Sequence, residues 1–122
     1  MLRILLVEDD PDVAMVVATL LEAAGHHVTV AGDGRQGYEI AMQEQPELVV
    51  TDLMMPVMSG LEMAMALRAS GFARPIVMCS AVAENRVGTG PDGYDIFLLK
   101  PYRSDELLEA IQRLHEAGGM PG

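Results

Sequence analysis

Five side chains in this sequence have types that could share one piece of chemistry: Glu8, Asp9, Asp52, Ser80 and Lys100. Three carboxylates offer hard oxygen ligands of the kind Mg²⁺ prefers, with room left for water and phosphate. Their mutual repulsion makes a bound cation welcome. An aspartate carboxylate can also attack a phosphoryl donor and become an acyl phosphate. The phosphoryl group brings up to about two negative charges and strong acceptor oxygens. Lys100 suits one of those oxygens as a compact charge, and the Ser80 hydroxyl can donate to another. Lys100 is the single lysine beside seven arginines, which favours a specific role over that of a solvated surface cation.

These residues need a scaffold that brings them together, and the apolar runs supply it. Ile4–Val7 stops at Glu8-Asp9, Leu48–Thr51 at Asp52, Ile76–Cys79 at Ser80 and Ile96–Leu99 at Lys100. Short apolar runs of this kind read as strands buried on both faces. Val28–Ala31 is a further strand.

Helical spacing fills the gaps between strands. Asp10 caps a helix that begins with Pro11, carries Val13, Val16, Val17, Leu20, Leu21 and Ala24, and stops at Gly25. Residues 35–45 form a second helix, ended by Pro46. Ser59-Gly60-Leu61-Glu62 is a capping box that opens a third, marked by Leu61, Ala64, Met65 and Arg68, with Met63 and Met65 as core filler. Ser104 caps the last helix, which carries Leu107, Leu108, Ile111 and Leu114 on one face. Between the last two strands, Gly88, Gly90, Pro91 and Gly93 forbid a long helix, so a short or irregular fourth helix is expected.

Strands alternating with helices predict an α/β fold: a single-domain (βα)5 unit, doubly wound on a parallel five-stranded sheet. All strand ends carrying the five residues then lie on one edge, where such sheets bind ligands. The domain is expected over residues 1–117, with a flexible tail over 118–122.

Composition narrows the function classes. With 122 residues, half of them hydrophobic, the chain is long enough for one core and too short for two. A net charge of -10 argues against direct nucleic-acid binding, since phosphate backbones repel it. No apolar run reaches the roughly 20 residues that span a bilayer, and the N-terminus lacks the layout of a signal peptide, so a cytoplasmic protein is expected. Cys79 is the single cysteine and sits within an apolar run, as a buried inert thiol would. His26, His27 and His115 show no ligand spacing and read as surface or packing residues.

Taken together and in order, Glu8-Asp9, Thr51-Asp52-Leu53-Met54-Met55-Pro56, Ser80-Ala81 and Lys100-Pro101 resemble the receiver domain of two-component response regulators. Val57-Met58-Ser59-Gly60 extends the match, and the resemblance spans residues 2–116. It implies a flavodoxin-like strand order 2-1-3-4-5. It makes Asp52 the phosphoacceptor. Glu8, Asp9, Asp52 and the backbone carbonyl of Met54 become holders of Mg²⁺ (or Mn²⁺). Ser80, the Ala81 backbone and Lys100 become the phosphoryl-binding groups, with a cis bond at Pro101. Ser80 and Phe97 take the switch positions, the aromatic moving inward with the hydroxyl. Tyr102 has a partner-facing or a plain surface role. The implied donor is a phosphohistidine on a sensor histidine kinase or a histidine phosphotransfer protein, and the downstream partner or fused output domain is not specified.

Two departures from the family pattern carry expectations. Residues 84–93 are expected to be irregular, so that the usual dimer does not form. Met54 and Val82 flank the path of the water that hydrolyses the acyl phosphate, and neither side chain orients water, so slow self-dephosphorylation is expected. Two rival functions are a degenerate receiver used as a binding scaffold and an aspartyl-phosphate phosphatase or phosphotransferase. The full acid set and Lys100 argue against the first. The second usually needs another aspartate two residues after the nucleophile, where Met54 stands, so no enzymatic activity on other substrates is expected.

Overall fold

The computed structural model describes residues 1–82 and 93–118, and the fold is that of those residues. Strands and helices alternate as β1 Arg3–Val7, α1 Pro11–Ala23, β2 His27–Ala31, α2 Gly34–Glu44, β3 Leu48–Asp52, α3 Gly60–Ala69, β4 Ile76–Ser80, β5 Ile96–Leu99 and α4 Ser104–Gly118. The irregular stretch expected over 84–93 lies outside the described residues save for Gly93, and the expected tail lies outside them save for Gly118.

The strands form one parallel sheet in the order β2-β1-β3-β4-β5, as the resemblance implied. Successive strand residues point to opposite faces, so each inner strand feeds two cores. Leu2, Ile4, Leu6, Leu48, Val50, Val77 and Cys79 pack beneath α1 and α4 with Val17, Leu21, Leu107 and Ile111. Leu5, Val7, Val49, Ile76 and Met78 pack beneath α2 and α3 with Ala41, Met63, Ala64 and Leu67. This double burial is why the inner strands are continuous apolar runs with no polar face.

Local chemistry sets the helix starts as the sequence suggests. Asp10 Oδ1 accepts the Asp12 and Val13 amides at 2.9 and 3.3 Å, with Pro11 opening α1. Ser59 and Glu62 form the reciprocal capping box of α3 at 2.8 and 3.1 Å. The cap expected at Ser104 sits one residue earlier. Ser104 is the first residue of α4, and the Glu106 carboxylate accepts the Arg103 amide at 2.8 Å.

Two helix faces differ from the sequence expectation. On α1, Ala14, Val17 and Leu21 are buried, whereas Val13 and Val16 are 36% and 69% exposed. Residues one apart on a helix lie about 100° apart, so 13-16-20 and 14-17-21 are neighbouring stripes, and the sheet covers the second. On α3, Gly60, Met63, Ala64 and Leu67 face the core and Met65 is exposed, so Met65 is not core filler. Arg68 is half-buried and held by hydrogen bonds. Its guanidinium donates to the Gly93, Phe72 and Arg74 carbonyls and to Asp95 Oδ2.

Candidate functional site

The C-terminal ends of β1, β3, β4 and β5 converge, because parallel strands end on the same edge. Glu8 and Asp9 follow β1, Asp52 ends β3, Ser80 ends β4 and Lys100 follows β5. Backbone bonds across strand ends hold these positions. The Glu8 amide donates to Ala31 O at 3.0 Å, the Leu53 amide to Cys79 O at 2.8 Å and the Lys100 amide to Ser80 O at 2.7 Å.

The side chains close the arrangement. Glu8, Asp9 and Asp52 each present a carboxylate oxygen within 4.8 Å of the others. Glu8 is 7% exposed and Asp9 is exposed. The Lys100 ammonium lies 2.6 Å from Asp52 Oδ1 and 3.7 Å from Glu8 Oε1. Glu8 Oε2 accepts the Asp10 amide at 3.1 Å, so this carboxylate is aimed by its own turn.

Electrostatics follow from burial and crowding. Burial, then the neighbouring Asp52 carboxylate, pushes the Glu8 carboxyl up to about 7, against the pull of the Asp10 amide and Lys100. Burial alone would lower Lys100, but its hydrogen bond and charge interaction with Asp52, helped by Glu8, hold it above its ordinary value. Burial pushes the Cys79 thiol up to about 12, so it is inert, as its place in an apolar run suggests. A divalent cation would relieve the repulsion that raises Glu8, and the donor set is the hard oxygen one that suits Mg²⁺.

The other positions singled out by sequence fall around this cluster. The Ser80 hydroxyl is buried and accepts the Val82 amide at 3.0 Å, which leaves its proton free to donate elsewhere. Met54 and Val82 are 68% and 59% exposed. The Lys100-Pro101 peptide is cis. Phe97 is half-buried against the core beneath α2 and α3. Tyr102 is half-buried against the other core rather than a plain surface residue, and burial raises its hydroxyl pKa, with Cys79, Asp52 and Glu8 adding to the rise. Val13, Ala81, Lys100, Pro101 and Tyr102 line an open depression beside the cluster.

Gly60 is a contributor that sequence reading did not single out for the site. Its amide donates to Leu53 O at 2.9 Å, and a Cβ there would overlap the Asp52 carbonyl oxygen and sit 2.9 Å from its carbon. Ser59-Gly60 reads locally as a helix start, and no local signal reveals that the glycine lets α3 approach the end of β3. His26 likewise has a role that spacing did not show. Its Nδ1 accepts the Leu2 amide at 3.1 Å, near the start of β1.

A doubly wound parallel sheet with three carboxylates, a buried hydroxyl and a lysine on its C-terminal edge defines a class of acyl-phosphate-forming switch domains. The chain belongs to the response regulator receiver domain family, whose model matches residues 4–112. It is a receiver domain, the phosphoacceptor switch of two-component systems. It is 34% identical over 116 residues to the DNA-binding dual master transcriptional regulator RpaA of Synechocystis, covering 92% of this chain and 48% of that protein. It is 36% identical over 112 residues to the DNA-binding response regulator MtrA of Mycolicibacterium smegmatis, covering 90% of this chain and 49% of that protein. The chain thus spans about half the length of the curated relatives it matches. Among solved structures it is similar to a Francisella response regulator receiver domain, with a TM-score of 0.88, 27% identity and coverage of 97% and 99% of the two chains. It is also similar to the response regulator TrrA of Thermotoga maritima in complex with Mg²⁺ and BeF, with a TM-score of 0.85, 28% identity and coverage of 93% and 99%. No helix among the described residues is long and apolar enough to cross a membrane.

Proposed function

We propose that Asp52 is the phosphoacceptor of this receiver domain. The observation that carries this reading is the Lys100 ammonium 2.6 Å from Asp52 Oδ1, within a cluster of three carboxylates. An Asp52 oxygen attacks phosphorus, the bond from phosphorus to the donor imidazole nitrogen breaks, and the imidazole leaves with a proton. Lys100 then pairs with a phosphoryl oxygen, the Ala81 backbone amide supports another, and Ser80 turns its hydroxyl from the Val82 amide to donate to a third.

Glu8, Asp9 and Asp52, with the Met54 carbonyl, would hold Mg²⁺ or Mn²⁺. When bound, that cation neutralises charge on the transferring phosphoryl group. The donor is a phosphohistidine on a sensor histidine kinase or a histidine phosphotransfer protein, which puts the chain in the cytoplasm where ATP feeds that phosphate. Phosphorylation draws Phe97 inward and changes affinity for a downstream partner or a fused output domain. The chain acts on its own phosphate and on no other substrate, and the domain occupies residues 1–117.

The test is intact-protein mass spectrometry after incubation with Mg²⁺ and acetyl phosphate. The expected result is a single added phosphoryl group, absent in Asp52→Asn and absent when the cation is chelated. An adduct that persists in Asp52→Asn would place the acceptor elsewhere. The absence of any adduct in the parent would favour a binding scaffold. Continuous release of phosphate beyond one equivalent would favour an enzyme.

A further inference from the structure

Tyr94 is a buried aromatic that the site does not use, and it touches a residue that the site does. Its ring is 4% exposed, and its centroid lies 5.8 Å from that of Phe97 at an interplanar angle of 52°. Strand periodicity would put positions 94 and 97 on opposite faces. The chain bends at Asp95, and the bend brings both rings into the core beneath α2 and α3.

The backbone on either side of Tyr94 is pinned. Arg68 donates to Gly93 O at 2.9 Å and to Asp95 Oδ2 at 2.9 Å. The Asp95 carboxylate accepts the Ile76 amide at 2.8 Å, and the Asp95 amide donates to Ile76 O at 2.8 Å. Tyr94 therefore cannot yield by sliding its backbone, and its ring can yield only by turning about its own side-chain bonds. Phe97 is less enclosed: it is half-buried on the edge strand β5 and packs against the same core.

We propose that Tyr94 is a positioning residue that holds Phe97 in its half-buried place and opposes further inward movement of that ring on phosphorylation. The proposal rests on the reading of Phe97 as the switch aromatic. Tyr94 acts through Phe97 in this role. The pinned ring adds to the work of activation, so removing it should favour the activated state.

Phe97 and Phe72 are the two phenylalanines, so labelled phenylalanine gives two NMR signals, with buried Phe72 as an internal reference. Beryllofluoride with Mg²⁺ serves as the phosphoryl analogue. In the parent, the Phe97 signal should move on adding beryllofluoride. In Tyr94→Ala, the signal with Mg²⁺ alone should already lie partway to that position, and beryllofluoride should bind between about two- and tenfold more tightly, the range expected for an aromatic pair. Tyr94→Leu fills most of the space and serves if the alanine variant does not fold, with the same direction expected. Unchanged or weaker beryllofluoride binding, with Phe97 unmoved in both truncated variants, overturns the proposal. A Phe97 signal that stays still in the parent overturns the reading of Phe97 itself, a pattern distinct from a failure of Tyr94 alone.

Discussion

The Lys100 ammonium and the Asp52 carboxylate meet at 2.6 Å, so the one lysine of the chain occupies the position of a counterion to the acid cluster. This contact makes a double demand on Lys100. It offsets repulsion among Glu8, Asp9 and Asp52 before any cation arrives, and it is placed to meet the phosphoryl group afterwards. Lys100→Met should cost about 1–3 kcal/mol of stability in chelator, because charged partners lose their hydrogen bond. Mg²⁺ should recover much of that loss, and the acetyl phosphate adduct should be strongly reduced. Urea unfolding with and without Mg²⁺, alongside intact mass, checks both parts. Equal stability of variant and parent in chelator would show that the contact contributes nothing to the fold.

The lifetime of the acyl phosphate is the second expectation. Met54 and Val82 stand exposed at the rim of the site, and neither side chain can orient an attacking water. Met54→Asn supplies a donor and an acceptor at that rim, so phosphate loss should accelerate roughly severalfold. The decay of the phosphorylated mass after donor removal measures it. An unchanged decay would mean that Met54 does not limit water.

Val57 carries backbone strain in the loop between Asp52 and α3. Its φ is 71°, a left-handed conformation that a β-branched side chain rarely adopts, and its side chain is 76% exposed and so has little packing to lose. Val57→Gly removes the clash between Cβ and backbone, at some cost in unfolded-chain entropy. The expected net effect is stabilisation by about 1 kcal/mol, read as a rise of a few degrees in Tm. A fall in Tm would mean that packing of the valine outweighs its strain.

Two groups, half-buried His26 and buried Glu8, give opposite pH dependences in metal-free protein. His26 accepts the Leu2 amide through Nδ1, and burial, then the N-terminal amine and His115, lower its pKa. The unfolded chain therefore takes up a proton more readily, and this contribution to stability is full above about 6.5 and is lost as pH falls below it. Glu8, pushed up to about 7 by burial, keeps a proton in the folded state that the unfolded chain releases, so its contribution falls as pH rises towards 7. Between pH 5.5 and 7.5 in chelator, His26→Gln should lose the acid-side weakening and Glu8→Gln the base-side weakening. Urea midpoints across that window distinguish them, and parallel curves for all three proteins would refute both assignments.

Much of this protein is legible in its residues because the signals are local. Apolar runs buried on two faces, Asp10 before Pro11, the Ser59 and Glu62 pair, and acids, a hydroxyl and a lysine at run ends all act within a few residues. The shared edge then follows from alternation of strand and helix, while the strand order is implied by the family resemblance; Glu8, Asp9, Asp52 and Lys100 meet on that edge, where Ser80 ends β4. What only the tertiary structure decided depends on which surface meets which across the fold. Of two adjacent apolar stripes on α1, the sheet covers the one through Val17 and leaves Val16 in solvent. Gly60 matters because α3 passes against the Asp52 backbone. Tyr94 meets Phe97 because Arg68, from α3, pins the bend between them. Such contacts join residues far apart in the chain, and their geometry comes from packing rather than from the type or spacing of neighbours.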